Sequence, residues 1–231
     1  MAVIYIIGTP IGNLGDISQR ALRILSEVDL ILCEDTRVTK KLLERYYLKT
    51  PTLSYHQHSK IQKTDYIIDL LKQGKNLALV SDAGTPGISD PGNKLVEKIV
   101  ESSGNSVKIV VVPGPSAITA AASVSGLPTD KFLFLGFPPA KRKRRKFFEE
   151  IKKSDHSVIF YESTYRIVKT LEELGLFVGN RKVAVCRELT KKFETVYRGE
   201  INEIVGRLKK NKEEIRGEFV VVVGDQLKNK E

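Results

Sequence analysis

The chain is 231 residues long, carries 38 Lys plus Arg against 28 Asp plus Glu for a formal net charge of +10 at pH 7, and is 41% hydrophobic. Such a length holds one large domain or two small ones with a full core, and apolar residues spread along the whole chain exclude disorder despite 29% charged residues. Apolar runs such as Val220 to Val223 fall far below the ~20 residues that cross a bilayer, which excludes a membrane span.

The amino terminus, Met1 to Gly8, has no basic leader and no small-residue cleavage site, so Val3 to Ile7 reads as a first strand and not a signal peptide. Ile17, Ala21, Ile24 and Val28 follow at helical spacing, giving a βα unit. The series continues with a strand at Leu30 to Cys33, a helix from about Val38 to Tyr46 and another from about Lys60 to Gln73. Next come a strand at Leu77 to Val80, a helix from about Lys94 to Ser102 and a strand at Val107 to Val112. This alternation predicts a mostly parallel sheet with helices on both faces.

A small-residue helix, Ser116 to Ser125, leads to the breakers of Gly126 to Asp130, and a domain boundary is placed there, giving 1–126 and 127–231. Beyond it the pattern changes. Strands are expected at Phe132 to Phe134, Val158 to Tyr161, Lys182 to Cys186, Glu194 to Arg198 and Phe219 to Val223. The helices between them are a basic one after Lys141, one from about Arg166 to Leu174 and one near Ile201 to Leu208. The runs at 182–186 and 194–198 are too close for a crossover helix, so at least one antiparallel pair and a mixed sheet are expected. Leu227 to Glu231 reads as a frayed tail.

Gly and Pro gather where the parallel strands end, the edge at which open α/β sheets hold ligands. Gly8 to Asp16 follows the first strand and suits close approach of main chain to a ligand, but its glycine spacing matches neither the dinucleotide fingerprint nor the phosphate loop, so a site and a mere turn and helix cap are equally open. Ser81 to Gly92 is longer than a plain connection needs. Its Asp82 could accept from a ribose hydroxyl or an amine while Gly84 and Gly87 let main chain approach an adenine; alternatively Asp82 and Asp90 only cap turns. Pro113 to Ala117 ends the fifth strand, with Ser116 placed to cap a helix. Glu34 to Arg37 ends the second strand, where a cofactor contact or a helix cap would serve. Tyr161-Glu162-Ser163 and Arg187 to Lys191 end two strands of the second half.

Lys141-Arg142-Lys143-Arg144-Arg145-Lys146 puts six positive charges in a row, suited to a polyanion through counterion release, and Phe147-Phe148 can anchor the run to a core; a solvated loop is the plainer alternative. His56, His58 and His156 form no triad or metal set. Cys33 and Cys186 have no ligand partners at metal spacing, which argues for a reducing cytoplasm and no metal.

Together these segments resemble the tetrapyrrole methylase superfamily, and within it the branch that methylates ribose in small-subunit ribosomal RNA. The matching motifs are Gly8 to Asp16, Cys33 to Arg37, Ser81 to Gly92, Pro113 to Ala117, Leu127 to Asp130, Phe160 to Ser163, Arg187 to Lys191 and Gly217 to Val220, in family order over nearly the whole chain. The family often continues Phe-Tyr-Glu-Ser with Pro-His-Arg, whereas Thr164-Tyr165-Arg166 stands here, so no role of that histidine carries over. The resemblance implies an α/β, two-domain tetrapyrrole methylase-like fold with S-adenosylmethionine in a cleft between the domains, and a homodimer. It implies cofactor contacts at Pro10, Asp82, Gly84, Ile88, Ser89, Ser116, Ala117, Tyr161, Leu189 and Gly217. The implied product is a 2′-O-methylated cytidine in the decoding region of 16S rRNA.

Methyl transfer depends on alignment more than on a strong base, but a carboxylate or a lysine of lowered pKa could assist removal of the hydroxyl proton. Glu188, Lys191 and Glu162 are the candidates, each with an ion-pair alternative. Two rivals remain open: a same-fold methyltransferase for a tetrapyrrole, other small molecule or protein side chain, and an RNA-binding protein without catalysis.

Overall fold

The structure, a computed structural model, describes residues 1–56, 61–90, 92–179 and 181–225. His58, Lys60, Pro91 and the tail from Leu227 lie outside the described residues. The chain divides into two compact units, Met1–Ser116 and the residues from Ala117 onward.

In the first unit the elements are β1 (Ala2–Ile7), α1 (Gln19–Glu27), β2 (Leu30–Cys33), α2 (Thr36–Arg45), β3 (Thr52–Ser54), α3 (Ile61–Lys72), β4 (Leu77–Val80), α4 (Gly92–Ser103) and β5 (Val107–Val112). The sheet order is β3-β2-β4-β1-β5 with every pair parallel. β4, wholly buried, is a short apolar run of the kind that a strand covered on both faces requires. Its alternate residues divide the core: Ala78 and Val80 join Ile24, Leu25 and Leu43 of α1 and α2, while Leu77 and Leu79 join Ile67, Leu71, Leu95 and Ile99 of α3 and α4. The helical spacing of Ala21 and Ile24 thus buries as expected, and Ser18 caps α1 by accepting from the Ala21 amide. β3 is an addition to the elements read from the sequence.

The second unit contains α5 (Ala117–Ser125), β6 (Phe132–Phe134), α6 (Arg144–Lys153), β7 (Ser157–Ser163), α7 (Ile167–Val178), β8 (Lys182–Arg187), β9 (Thr195–Glu200), α8 (Ile201–Lys210) and β10 (Glu218–Val223). The sheet is mixed, in the order β6-β7-β10-β8-β9. β6 and β7 are parallel and the other pairs antiparallel, including the expected β8–β9 pair. Phe160, Val185, Phe219 and Val221 pack with Phe148, Ile151, Leu171, Leu174 and Leu208 of α6, α7 and α8.

Helix α5 packs on β10 and β8, and Arg198 of β9 donates to the carbonyls of Val124 and Ser125 at its carboxyl end. The division therefore falls before α5, between Ser116 and Ala117, where the sequence reading placed it after that helix. No helix among the described residues is long and apolar enough to cross a membrane. Both cysteines are buried free thiols, and burial pushes Cys186 up to about 11.

Candidate functional site

Because the strands of the first unit run parallel, the loops after β1, β4 and β5 share one edge, and glycine lets them close on one another. Gly8 and Gly114 stand backbone to backbone: a Cβ on Gly8 would lie 2.8 Å from the Gly114 Cα, and one on Gly114 would lie 2.5 Å from the Gly8 carbonyl oxygen. Thr9 and Gly84 exchange two backbone hydrogen bonds, of 2.9 and 3.1 Å, and the buried Thr9 hydroxyl donates to the Ser81 carbonyl at 3.1 Å. Gly84 has φ +82, and a Cβ there would sit 3.5 Å from Ile11 and 3.7 Å from the Pro115 carbonyl. Of the sequence-derived contacts, Pro10, Gly84 and the Pro113–Ser116 turn are thus brought together, while Ile88 and Ser89 lie on the exposed outer part of the loop. Thr9, which locks the first loop to the second, was not singled out from the sequence.

The same edge is acidic. Asp82 is exposed, and its Oδ1 accepts from the Asp35 amide at 3.0 Å, tying the β4 loop to the end of β2. Burial raises the Glu34 pKa, and the neighbouring Asp90 and Asp82 carboxylates add to the rise. The Arg37 side chain holds Asp35 down to about 2, and Asp35 also caps α2. Asp90 takes the turn-capping role: its Oδ1 accepts from the amides of Gly87 at 2.7 Å and Gly92 at 2.8 Å. Among the described residues no group of three or more His, Cys, Asp or Glu side chains could hold a metal ion.

In the second unit the register pairs Ser163 with Glu218 and Arg187 with Phe219, so the ends of β7 and β8 and the start of β10 meet at one sheet edge. Tyr161 packs against the rings of Phe134 and Phe137 at 5.0 and 5.3 Å. Gly217, at φ +114, lies directly beneath Glu188, whose Cγ would be 2.4 Å from a Cβ at that position. Leu189 is buried between Glu188 and Thr190, both of which hold positive φ. Leu189 and Gly217 thus lie at this end of the sheet, while Tyr161 stands two residues further in on β7, opposite Val220 of β10.

Two of the three candidate bases do not suit the role. Glu162 is fully buried, bonded to Arg166 at 2.8 Å, to the Thr170 hydroxyl at 2.6 Å and to the Ser163 amide at 2.7 Å. All of these bonds run into the protein, so the side chain anchors Arg166, Thr170 and Ser163 and does not face a substrate. Lys191 lies 2.9 Å from both Glu188 and Glu218. Burial by itself would lower its pKa, but the hydrogen bonds to the two carboxylates outweigh burial and raise it, opposite to what a lysine base needs. Glu188 is also shifted: burial pushes it up, yet Lys191 and the Glu218 amide together bring it below the ordinary carboxylate value. The Glu188–Lys191 pair is a fixed anion and a fixed cation, not a proton relay.

The basic run straddles the start of α6. Phe147 and Phe148 are buried and anchor it, as expected. Arg144 departs from the reading: it turns inward to Glu173, to the Thr170 hydroxyl at 2.7 Å and to the Pro139 carbonyl at 3.2 Å, with its guanidinium over the Phe148 ring. Lys141, Arg142, Lys143, Arg145 and Lys146 stay exposed, Arg145 pairing with Glu149.

A tetrapyrrole (corrin/porphyrin) methylase family profile matches residues 3–205. The chain belongs to this family. It is 44% identical over 223 residues to the ribosomal RNA small subunit methyltransferase I of Thermotoga maritima, covering 96% of this chain and 98% of that protein. It is 45% identical to the Bacillus subtilis protein of the same name, covering 96% of this chain and 75% of that one. Among solved structures, diphthine synthase superposes with a TM-score of 0.74 at 14% identity over 97% of this chain and 90% of the other. Uroporphyrin-III-C-methyltransferase of Thermus thermophilus gives 0.65 at 18% identity, over 97% and 94%. At such identities the structural likeness speaks for the fold alone.

Proposed function

We propose that this protein is an S-adenosylmethionine-dependent methyltransferase of small-subunit ribosomal RNA, acting on the ribose 2′-hydroxyl of a decoding-region cytidine in 16S rRNA. The 44% identity to the Thermotoga maritima protein, over nearly the whole of both chains, carries methylation of small-subunit ribosomal RNA; the ribose and the cytidine rest on the motif resemblance. The residues suit the cofactor. S-adenosylmethionine presents a sulfonium, an amine and ribose hydroxyls, and the acidic edge of Glu34 and Asp82 offers acceptors to such groups beside the glycine-lined main chain of Gly84. Pro10, Asp82, Gly84, Ile88, Ser89, Ser116, Ala117, Tyr161, Leu189 and Gly217 are the proposed contacts.

The cofactor supplies an electrophilic methyl group. The chain's own residues would have to hold the ribose hydroxyl aligned with that group, which by itself removes much of the barrier, and the hydroxyl proton would pass to solvent as the new C–O bond forms and the bond to sulfur breaks. Glu188, kept ionised, can accept from the ribose hydroxyl and orient it, while Lys191 fixes the Glu188 carboxylate and adds positive charge for the RNA. An RNA substrate in the small subunit places this work in the cytoplasm. A homodimer is part of the proposal, with Val100, Ile109 and Val111 as the exposed apolar face available to a second copy. The groove beside it is lined by Ile6, Leu79, Pro86, Val96, Ile109 and Val111 with no charged residue, which suits an apolar contact.

Incubation with labelled cofactor and naked 16S rRNA, assembled small subunits or a tetrapyrrole tests the reading; label entering only the tetrapyrrole would overturn it. Asp82→Ala is expected to weaken S-adenosylmethionine binding about tenfold or more by calorimetry, as loss of a charged hydrogen-bond partner does. An unchanged dissociation constant removes Asp82 from the site. Neutralising Lys141, Arg142, Lys143 and Lys146 is expected to weaken RNA binding and to reduce the slope of log K against log salt by about 3, while cofactor affinity persists. A slope equal to that of the unmodified protein would rule out the run as the phosphate grip.

A further inference from the structure

Among the described residues of the second unit four Phe and Tyr rings are exposed, and three of them sit on loops at one end of the sheet: Phe137 after β6, Tyr165 after β7 and Phe193 between β8 and β9, at 53%, 96% and 61% exposure. The fourth, Phe132, begins β6 at the opposite end. Single exposed rings are ordinary, but three on adjoining loops are not.

Their backbones are pinned while their rings face solvent. Phe137 rests on Tyr161, and the carbonyl of the next residue, Pro138, accepts from Arg166 at 3.0 Å. Tyr165 lies between that arginine, tied to the buried Glu162, and Thr164, whose hydroxyl bonds both the Gly217 carbonyl at 2.6 Å and the Gly217 amide at 2.9 Å. The Phe193 carbonyl accepts from the buried Arg187 at 3.1 Å, and Lys192 stands 5.6 Å from the Phe193 ring centre. The loop carrying Phe137 runs on through Pro139, held by Arg144, into the exposed Lys141–Lys143.

The geometry points to a stacking platform for single-stranded RNA, on which unpaired nucleobases lie against Tyr165, Phe137 and Phe193 while the neighbouring cations hold the phosphates. This inference rests on the RNA reading above and adds what part of the RNA is grasped. Alternating rings and cations suit a single strand, whose base faces are open, and not a duplex, whose base faces are stacked inside. Pre-fixed backbones mean that little order has to be created on binding.

The test is equilibrium binding of the full chain to a mixed-sequence single-stranded oligoribonucleotide and to an abasic oligomer of equal length. Tyr165→Ala and Phe193→Ala should each weaken binding of the intact oligomer about 5- to 100-fold with an unchanged salt slope, because stacking releases no counterions. Tyr165→His and Tyr165→Phe should largely keep the affinity. The chain has no Trp, so Tyr165→Trp introduces one indole whose emission should be quenched by the intact oligomer and not by the abasic one. Wild-type affinity in both alanine variants, alongside lost affinity in the charge-neutralised run, would overturn the stacking platform and leave the RNA reading standing. Failure of the unmodified protein to bind either oligomer would overturn both.

Discussion

Gly114→Ala is expected to lower the unfolding temperature by about 10 °C. The added Cβ would lie 2.5 Å from the Gly8 carbonyl oxygen and 2.8 Å from its carbon. Both are main-chain atoms at the end of a central strand, so relief requires the β1 and β5 loops to part, with loss of the 3.0 Å bond from the Gly8 amide to the Val112 carbonyl. Overpacking costs ~1–3 kcal/mol where side chains can shift. With backbone on both sides the upper end applies, and ~3 kcal/mol corresponds to about 10 °C in a unit of this size. Gly206→Ala is the control: it lies inside α8 with nothing within 4 Å of the new carbon, and should be neutral or slightly stabilising. Equal melting of the Gly114→Ala and unmodified proteins would refute the close approach.

Glu162→Ala is expected to destabilise the second unit by ~1–3 kcal/mol, the cost of leaving buried hydrogen-bond donors without their acceptor. The loss leaves the buried Thr170 hydroxyl and the Ser163 amide without an acceptor, removes the carboxylate from the partly exposed Arg166, and loosens Arg144, which shares Thr170. Denaturant unfolding reads the change directly. A Glu162→Ala protein as stable as the unmodified one but unable to transfer methyl groups would return this carboxylate to the list of catalytic bases.

Most of the fold is legible in the sequence because its strands are dense in β-branched residues and its helices have one apolar face. Val107–Val112 and Phe132–Phe134 have the bounds that composition suggests, and the short gap between β8 and β9 forces their antiparallel pairing. β3 is invisible for the opposite reason: three half-buried residues after a proline carry no period. Helix α5 is legible as a helix but not as part of the second unit, since the contacts of Arg198 with its last turn span more than seventy residues.

The site shows the same division. The glycine-rich turns announce themselves through residue type, whereas the state of each charged group depends on what folds against it. Arg144 is indistinguishable from its basic neighbours until Glu173 and Thr170 arrive from α7. Lys191 looks like a candidate base until Glu218, from β10, is found on its other side.

The strand order of the second unit has a consequence for biosynthesis. β10, the last strand among the described residues, lies at the middle of its sheet, between β7 and β8. A nascent polypeptide that has reached Arg216 holds two half-sheets, with the edges of β7 and β8 that await β10 still open. Only the final valine-rich segment zips them together. The first unit, whose sheet is finished at Val112, has no such wait. Translation therefore releases a settled amino-terminal half well before the carboxyl-terminal half can close, and that interval is when the latter is most exposed to edge-to-edge association.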